Sequence, residues 1–193
     1  TVGEDSRPII IFANGILHLV YTINEKQVMY RQGNINGTWG AAVQVASETS
    51  FTLYNGGLAV EPNGTVHFVY LDNKCGNYNI YYKTYSGGVF SAETTPLSEC
   101  IYKNKPRIVI AGGKPHIIFK RSAPGIDDIF YTRLDATGWI PGVNISNSGT
   151  TASHNPTITT NGSSIYVAWG EGQNGHDVLF RYSPDEGTTW SGT

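Results

Sequence analysis

The stretch that decides the fold is Val66-His67-Phe68-Val69-Tyr70, an apolar run with one histidine placed just after the dipeptide Asn63-Gly64. The same pattern occurs three more times, as Leu17-His18-Leu19-Val20-Tyr21, Pro115-His116-Ile117-Ile118-Phe119 and Ile165-Tyr166-Val167-Ala168-Trp169. The second position of each copy falls at residue 18, 67, 116 or 166, so the copies are 49, 49 and 50 residues apart. A fixed period over the whole chain predicts a repeat architecture, in which each repeat is one supersecondary unit.

A tight turn precedes each copy, and the four turn dipeptides are Asn14-Gly15, Asn63-Gly64, Gly112-Gly113 and Asn161-Gly162. Such dipeptides supply the positive φ angles of a type I′ hairpin turn. Another strand therefore leads into every turn, and we assign equivalent positions at its start to Pro8, Gly57, Pro106 and Pro156. Proline is tolerated there because the first residue of a strand loses no ladder hydrogen bond.

Two further strands complete each repeat. A third strand follows the hairpin at residues 27–31, 79–83, 128–132 and 177–181. An aromatic residue closes the next turn in every copy, at Trp39, Phe90, Trp139 and Trp190. A more polar fourth strand then runs outward, so each repeat is four short antiparallel strands.

A single sheet of this kind cannot bury both of its faces, and radial stacking of sheets around an axis solves that problem. We therefore predict an all-β fold, a β-propeller of four-stranded blades, as a single module over residues 1–193. The blades are expected at residues 7–50, 51–100, 101–149 and 150–193. A β-sandwich has strands at a similar density but does not explain four registered copies.

The composition excludes several other classes of protein. Only 15% of the residues are charged, against about 25% in an ordinary globular domain, while 39% are hydrophobic. No apolar run approaches the roughly 20 residues that cross a bilayer, and a formal net charge of −2 offers no basic stripe for nucleic acid. Because no phosphate-cradling glycine loop and no Cys-x-x-Cys motif occurs, we predict no cofactor.

The two ends of the chain complement each other. The last repeat stops where its outer strand should begin, and residues 1–6 resemble the missing piece in character. We therefore expect the N-terminal segment to complete the last blade and to hide its edge. Three assemblies fit this expectation: a closed four-bladed ring, a homodimer whose two chains form an eight-bladed ring, and an excerpt of a longer array.

The last repeat contains Ser183-Pro184-Asp185-Glu186-Gly187-Thr188-Thr189-Trp190, a full match to the pattern Ser-x-Asp-x-Gly-x-Thr-Trp. On this motif and the four-copy register, the whole chain resembles the Asp-box (BNR) repeat propellers of the sialidase-like superfamily. The resemblance implies that Ser183, Asp185, Gly187, Thr189 and Trp190 build a turn rather than a catalytic site. Copy one keeps only 36–39 of the box, and the other two copies are more degenerate.

Sialidase chemistry, as the resemblance implies it, requires an arginine triad, a tyrosine nucleophile paired with a glutamate, and an acidic proton donor. The string Arg7-Pro8-Ile9 lacks the spacer of the family's Arg-Ile-Pro motif. We find no match for the nucleophile or the acid, so no catalytic residue is assigned. The sequence therefore leans away from an enzyme.

Ligands of propellers usually bind on the face where the strand-entry loops and the second-to-third-strand loops emerge. The positions expected on that face are Arg7, Tyr54, Asn55, Asp72, Lys105, Arg121, His154, Asn155 and Glu171, with Tyr78 and Tyr102 in nearby loops. This mixture of aromatic rings, amides and a few charges suits sugar recognition, where rings stack and amides bind hydroxyls. Ordinary solvated loops explain the same residues, and that alternative stays open.

Cys75 and Cys100 lie in loops that emerge on this same face. A disulfide between them would close a loop of about 25 residues, stabilise the fold by roughly 3 kcal/mol and indicate an oxidising compartment. Two free buried thiols are the alternative. Sequons that could carry glycans begin at Asn36, Asn63, Asn144 and Asn161.

The recurring histidines invite comparison with a metal site. His18, His67 and His116 fall one per blade, and Tyr166 takes the fourth position. Zinc needs three or four ligands that converge on one ion. Because these side chains lie in separate sheets, we predict a packing role and no metal.

Taken together, the sequence predicts a secreted or cell-surface propeller module, without catalysis, that binds glycan or protein. The first alternative is a fragment or half of a sialidase-like glycoside hydrolase. The second alternative is a structural subunit of a surface array or filament. No membrane span and no nucleic-acid partner are expected.

Overall fold

The computed structural model describes residues 5–50, 52–123, 126–172 and 177–192. Within these ranges the chain forms four antiparallel sheets in succession, one for each sequence repeat. The described residues hold strands and turns and no helix, so none is long and apolar enough to cross a membrane. The prediction of an all-β chain built from antiparallel sheets is confirmed.

The strands follow the repeats closely. Sheet 1 contains β1 (Asp5–Ala13), β2 (Ile16–Ile23), β3 (Gln27–Gly33) and β4 (Val43–Ser47). Sheet 2 contains β5 (Leu53–Val60), β6 (Val66–Asp72), β7 (Asn79–Ser86) and β8 (Val89–Phe90). Sheet 3 contains β9 (Lys103–Ala111), β10 (Lys114–Ala123), β11 (Ile126–Asp135), β12 (Gly138–Trp139) and β13 (Val143–Asn144). Sheet 4 contains β14 (Ser153–Asn161), β15 (Ser164–Glu171) and β16 (Asp177–Ser183).

The first hairpin of each sheet forms where the sequence places its turn dipeptides. Asn14 and Gly15 adopt φ angles of 52° and 77°, the double positive φ of a type I′ turn. Gly112 and Gly113, at 54° and 73°, repeat this geometry in sheet 3. The strands on either side therefore pair as immediate neighbours, and each sheet runs in chain order from its first strand outward.

Sheets 2 and 3, which each have two neighbouring sheets, are buried on both faces. All seven residues of β6 are buried, because successive side chains point to opposite faces and each face meets a neighbouring sheet. Three apolar clusters join sheets 1 and 2, sheets 2 and 3, and sheets 3 and 4. Their buried members include, in that order, Tyr30 with Phe68, Val69 with Ile117, and Ile118 with Val167. Among the described residues no such cluster joins sheet 4 to sheet 1.

The recurring histidines are buried inside their own sheets. The Nδ1 atom of His18, His67 or His116 lies 2.7 Å from the hydroxyl oxygen of Tyr30, Tyr82 or Tyr131, respectively. Each pair joins the second strand to the third on the face that meets the next sheet. In sheet 4 the pair is replaced by Tyr166 stacked on Phe180, with ring centroids 6.3 Å apart. The repeated histidine thus makes one buried polar contact in each of sheets 1, 2 and 3.

The turn after β16 is tied by its own side chains. The amide N–H groups of Gly187 and Thr189 donate to Ser183 Oγ and Asp185 Oδ1, both at 2.8 Å. The Thr189 hydroxyl also donates to Asp185 Oδ2, at 2.7 Å. The two hydrogen bonds from Thr189 lower the pKa of Asp185 to about 2. The Trp190 ring packs edge-on against Tyr131 of sheet 3, with centroids 5.0 Å apart. The turn therefore also contributes to the junction between sheets 3 and 4.

Two details of the predicted repeat are corrected. Asp5 and Ser6 pair with Ile23 and Thr22 in sheet 1, so these two residues do not complete sheet 4; residues 1–4 lie outside the described residues. The glycine equivalent to the three strand-entry prolines is Gly56 rather than Gly57, because the first hairpin turn of sheet 2, between Val60 and Val66, is one residue longer than its counterpart in sheet 1. A Cβ atom at Gly56 would collide with the Pro106 ring of sheet 3, so glycine permits this close approach.

The buried histidines make stability depend on pH. Burial lowers the pKa of His18 and His67 and lowers that of His116 to about 4. Unfolded histidine titrates near 6.5, so below that pH the unfolded chain takes up protons that the folded chain refuses. We expect the free energy of unfolding to fall between pH 6.5 and about 4, by up to about 1.4 kcal/mol per pH unit for each histidine.

Urea unfolding measured at several pH values between 7 and 4 checks this prediction. The variant His116→Gln keeps hydrogen-bonding atoms at the site but does not titrate, so its stability should fall less steeply with pH. An unchanged slope would contradict the assignment to His116.

Candidate functional site

The first strand of each sheet, which is its innermost strand, has a β-bulge at the equivalent position. The pairing register shifts between Ser6 and Ile9 in β1, Asn55 and Gly57 in β5, Asn104 and Arg107 in β9, and His154 and Thr157 in β14. Lys105 and Asn155 sit in these bulges with φ angles of 50° and 49°, each directly before a proline. Bulges bend a strand and redirect its side chains. Here the Lys105 amino group donates to Asn155 Oδ1 on the neighbouring sheet.

The bulged strands surround a cavity of about 470 Å³. Residues from the innermost strands of all four sheets line it: Pro8, Ile9, Gly56, Asn104, Lys105, Pro106, Arg107, Asn155 and Pro156, together with Leu71 of β6. We call this space the axial cavity. Its volume lies within the range of about 300–1,000 Å³ that is typical of small-molecule sites.

The charged groups that line the axial cavity are both cations. Lys105 is exposed, and the Arg107 guanidinium donates to the carbonyl oxygens of Gly56 and Pro106 at 3.0 and 2.9 Å. Burial lowers the pKa of Arg107. Among the described lining residues there is no aspartate or glutamate. The cavity therefore favours an anionic or hydroxyl-rich ligand.

A wall of tyrosines adjoins the axial cavity. Tyr54, Tyr78 and Tyr102 line a second cavity of about 230 Å³, which shares Leu71 and Asn104 with the first. The Tyr78 ring lies 5.8 Å from both other rings, measured between centroids. The Asn104 amide donates to the Tyr102 hydroxyl at 3.0 Å. We call these three residues the tyrosine wall.

Two ties hold the loops that carry Tyr78 and Tyr102. The predicted disulfide between Cys75 and Cys100 is confirmed, with Cα atoms 5.9 Å apart. Beneath it the fully buried Lys103 donates to Asn79 Oδ1 at 2.9 Å and to the Glu99 carbonyl. Burial lowers the pKa of Lys103 to about 8. The wall is thus anchored by a covalent link and a buried cation.

One tyrosine of the wall is placed for proton transfer. Tyr54 lies near the carboxylate of Glu25, in the turn between β2 and β3, and near the Tyr78 hydroxyl. Burial, and then Glu25, raises the pKa of Tyr54. The hydroxyl is therefore protonated at neutral pH, with a carboxylate nearby.

A second tyrosine–glutamate pair is unsuited to chemistry. Tyr70 hydrogen-bonds with Glu93, but its ring is fully buried between sheets 1 and 2. Burial, with Glu93 adding to it, raises the pKa of Tyr70. Lys74 neutralises Glu93 at 2.5 Å and lies 3.5 Å from the buried Asp72. This cluster belongs to the sheet junction.

The structure brings some of the predicted site residues together and separates others. Tyr54, Lys105 and Asn155 line the two cavities, whereas Asp72 is fully buried and accepts the Lys74 amide N–H at 2.9 Å. The side chains of Arg7 and Asn55 lie outside the described residues.

Three further predicted residues serve contacts within the fold. The Arg121 guanidinium lies over the Phe130 ring at 4.9 Å. Glu171 accepts the Trp169 indole N–H at 2.9 Å. Half-buried His154 contributes to the lowered pKa of Asp127, whose main partner is Lys120.

Sequence reasoning missed Asn104 and Arg107. Both belong to the run Lys103-Asn104-Lys105-Pro106-Arg107, whose alternation would send Lys105 and Arg107 to the same face of a regular strand. The bulge interrupts that alternation. A dense run of cations and amides at the entry to an innermost strand is the signal that could have identified them.

The sequon asparagines differ in accessibility. Asn36 and Asn63 are exposed in turns, and Asn161 is exposed at the end of β14. Asn144 is half-buried, and its side-chain amide donates to Asp128 at 2.8 Å. As for metals, the described residues contain no group of three or more His, Cys, Asp or Glu side chains that could hold an ion.

Neither a family model nor a curated protein sequence matches this chain. Its fold does match solved structures. A polysaccharide lyase of family PL25, an ulvan lyase, superposes with a TM-score of 0.68 and 12% identity over 95% of this chain and 54% of the lyase. The sialidase of Trypanosoma rangeli gives a TM-score of 0.67 and 10% identity over 98% of this chain and 38% of the sialidase.

The α-L-arabinanase of Penicillium chrysogenum gives a TM-score of 0.63 and 16% identity over 94% of this chain and 57% of the arabinanase. The chain thus spans between about two fifths and three fifths of the length of these proteins. At identities this low the likeness concerns the fold alone. It shows a β-propeller type of fold, similar at a coarse level to that of sialidases and of family GH43 enzymes.

These neighbours overturn one expectation. The sequence favoured a module without catalysis, but the structures that share the fold are described as a lyase, sialidases and glycoside hydrolases that process glycans. The expectation depended on the absence of a recognisable sialidase motif. That absence does not separate a non-catalytic module from an enzyme whose catalytic residues follow another pattern.

Loss of the disulfide should destabilise the fold and loosen the tyrosine wall. The variant carrying Cys75→Ser and Cys100→Ser frees a segment of 25 residues, so we expect the free energy of unfolding to drop by about 3 kcal/mol. Chemical denaturation measures the drop, and the reduced wild-type chain is the matched control. Equal stability of the oxidised chain and the double variant would contradict this role.

Proposed function

We propose that this chain forms the glycan-binding part of a propeller enzyme that processes an acidic oligosaccharide or polysaccharide. The observation that carries the proposal is the joining of the axial cavity to the tyrosine wall. One supplies cations and amides and the other supplies aromatic rings, at adjoining positions on the face where the loops meet. The proposal develops the sequence-based alternative of a fragment or half of a sialidase-like glycoside hydrolase.

Charge supports an acidic substrate. Lys105 and Arg107 line a cavity whose described lining holds no carboxylate. A carboxylate or sulfate of a sugar can bind the Lys105 amino group beside Asn155. Asn104 and Asn155 supply amide groups that bind sugar hydroxyls.

The tyrosine wall favours an oligosaccharide or polysaccharide as the ligand, rather than a single small anion. Sugar rings present C–H faces that pack on aromatic rings, while hydroxyls at their edges bind polar groups. Tyr54, Tyr78 and Tyr102 follow one another at 5.8 Å centroid spacing. A bound glycan would therefore place its acidic group in the axial cavity and extend along the wall.

Tyr54 is the group we assign to proton transfer. Tyr54 lines the second cavity, and the neighbouring Glu25 helps to raise its pKa. In either hydrolysis or elimination a proton must reach the oxygen of the leaving sugar. Tyr54 would donate that proton and become a phenolate. Glu25 would accept the proton released by the attacking water in hydrolysis, or by the sugar carbon in elimination, and return it to Tyr54.

The disulfide is consistent with a secreted setting, since such bonds persist in oxidising compartments. A secreted enzyme meets polysaccharides outside the cell. This supports the proposal without selecting one polysaccharide.

Removing the Lys105 charge should weaken binding of acidic glycans specifically. We expect Lys105→Gln to reduce affinity about tenfold, because a charge-assisted hydrogen bond contributes roughly 1.5–3 kcal/mol, and to leave neutral glycans unaffected. Calorimetric titration with sialylated, uronic-acid, sulfated and neutral oligosaccharides measures this. The control Lys114→Gln removes an equally cationic side chain that pairs with Glu186 outside both cavities. Equal affinity for neutral and acidic glycans would contradict the proposal.

Tyr54→Phe should abolish turnover and spare binding. General acid catalysis typically contributes 10²–10⁴-fold, so we expect kcat to fall at least about 100-fold with a small change in affinity. Hydrolysis is measured by the new reducing ends of the products. Elimination is measured by the ultraviolet absorbance of the unsaturated sugars that it forms. Tyr102→Phe is the matched control on the same wall, because its hydroxyl accepts from Asn104. Full activity of Tyr54→Phe, or no turnover by the parent chain, would remove Tyr54 from a catalytic role.

A further inference from the structure

Two sheet faces carry exposed apolar side chains that no other described residue covers. On sheet 4, Val178, Phe180 and Tyr182 are 78%, 49% and 44% exposed. On sheet 1, Ile10 and Phe12 are 55% and 61% exposed. We call these the open face of sheet 4 and the open face of sheet 1.

The open face of sheet 4 corresponds to a face that is covered in every other sheet. Phe180 lies opposite Ala168, as Tyr30, Tyr82 and Tyr131 lie opposite Val20, Val69 and Ile118. Those three tyrosines are at most 6% exposed, because each faces the next sheet. The position of Val178 is likewise filled by buried residues in the other sheets, namely Val28, Ile80 and Ile129.

The open face of sheet 1 corresponds to the opposite side of the same junctions. Ile10 lies opposite Leu19, as Leu58 and Ile108 lie opposite Phe68 and Ile117. Leu58 and Ile108 are 4% and 6% exposed, because each faces the preceding sheet. The two open faces are therefore the two halves of a junction that the fold makes three times internally.

We infer that both open faces are docking surfaces for a further four-stranded sheet of the same repeat, inserted between sheet 4 and sheet 1. Pro8 of sheet 1 and Pro156 of sheet 4 line the same axial cavity, so the two sheets border one gap around one axis. The inserted sheet would occupy this gap. A second copy of the chain in an eight-sheet ring would pull Pro8 and Pro156 apart and widen the cavity.

The chemistry of the open faces defines the inserted sheet. The exposed residues Val178, Phe180, Tyr182, Ile10 and Phe12 are all uncharged. On sheet 4 the imidazole–hydroxyl pair is also absent, since Tyr166 stacks on Phe180. The side that meets sheet 4 must therefore be aliphatic or aromatic, as at Ile108 and Ile117. The side that meets sheet 1 must copy the buried face that carries Val69, Ile80 and Tyr82.

Extending the chain tests this inference without using the glycan site. A copy of residues 94–149 fused after Thr193 continues the repeat register and adds a sheet copied from sheet 3, both of whose faces already form junctions. We expect the extended chain to bind less of a fluorescent hydrophobic dye and to melt about 5 °C or more above the parent. The same extension with its sequence scrambled is the control.

Phe180→Asp distinguishes a covered face from an open one. In the parent chain the substitution should change the melting temperature by about 1 °C or less, whereas in the extended chain it should cancel most of the gain. Equal effects in the two chains would overturn the inference. A stable dimer of the parent, cross-linked between chains through Phe12→Cys and Phe180→Cys, would also overturn it by assigning the faces to a second copy.

Discussion

The constraint on which this structure depends is that each sheet is apolar on both faces. A strand such as β6, buried at all seven positions, cannot belong to a sheet with one face in water. Each sheet must therefore be covered by two neighbours, and stacking in succession provides them. The three junction clusters, the buried histidines and the convergence of the innermost strands are consequences of this requirement. So are the open faces at sheets 1 and 4, where the covering neighbour is absent from the described residues.

The histidine spacing was enough to predict the repeat because it marks a local pattern. A residue that recurs every 49 or 50 positions, always after a turn dipeptide, reports the strand order directly. The pairing of Cys75 with Cys100 was also predictable, because both loops emerge on one face of a stacked sheet. Both inferences need only chain order and the alternation of strands.

The site could be predicted only in part. Lys105, Asn155 and Tyr54 were expected on the correct face, but Arg107, which lines the cavity next to a bulge, was not, and a longer first hairpin turn in sheet 2 moves the equivalent glycine from Gly57 to Gly56. Asp72 illustrates the opposite error: its position at a strand end suggested exposure, but the junction of sheets 1 and 2 buries it. The positions of bulges and the burial of residues between sheets depend on packing between sheets, which cannot be inferred from a single sequence.

The bulges of the innermost strands have a consequence for recognition. Lys105 and Asn155 each precede a buried proline, whose ring fixes its own φ near −65°. The floor of the axial cavity is therefore built from backbone that has already lost its conformational freedom during folding. A ligand entering this cavity encounters a preorganised surface, so little ordering entropy opposes association. Selectivity there is consequently a matter of shape and charge, with induced fit contributing little.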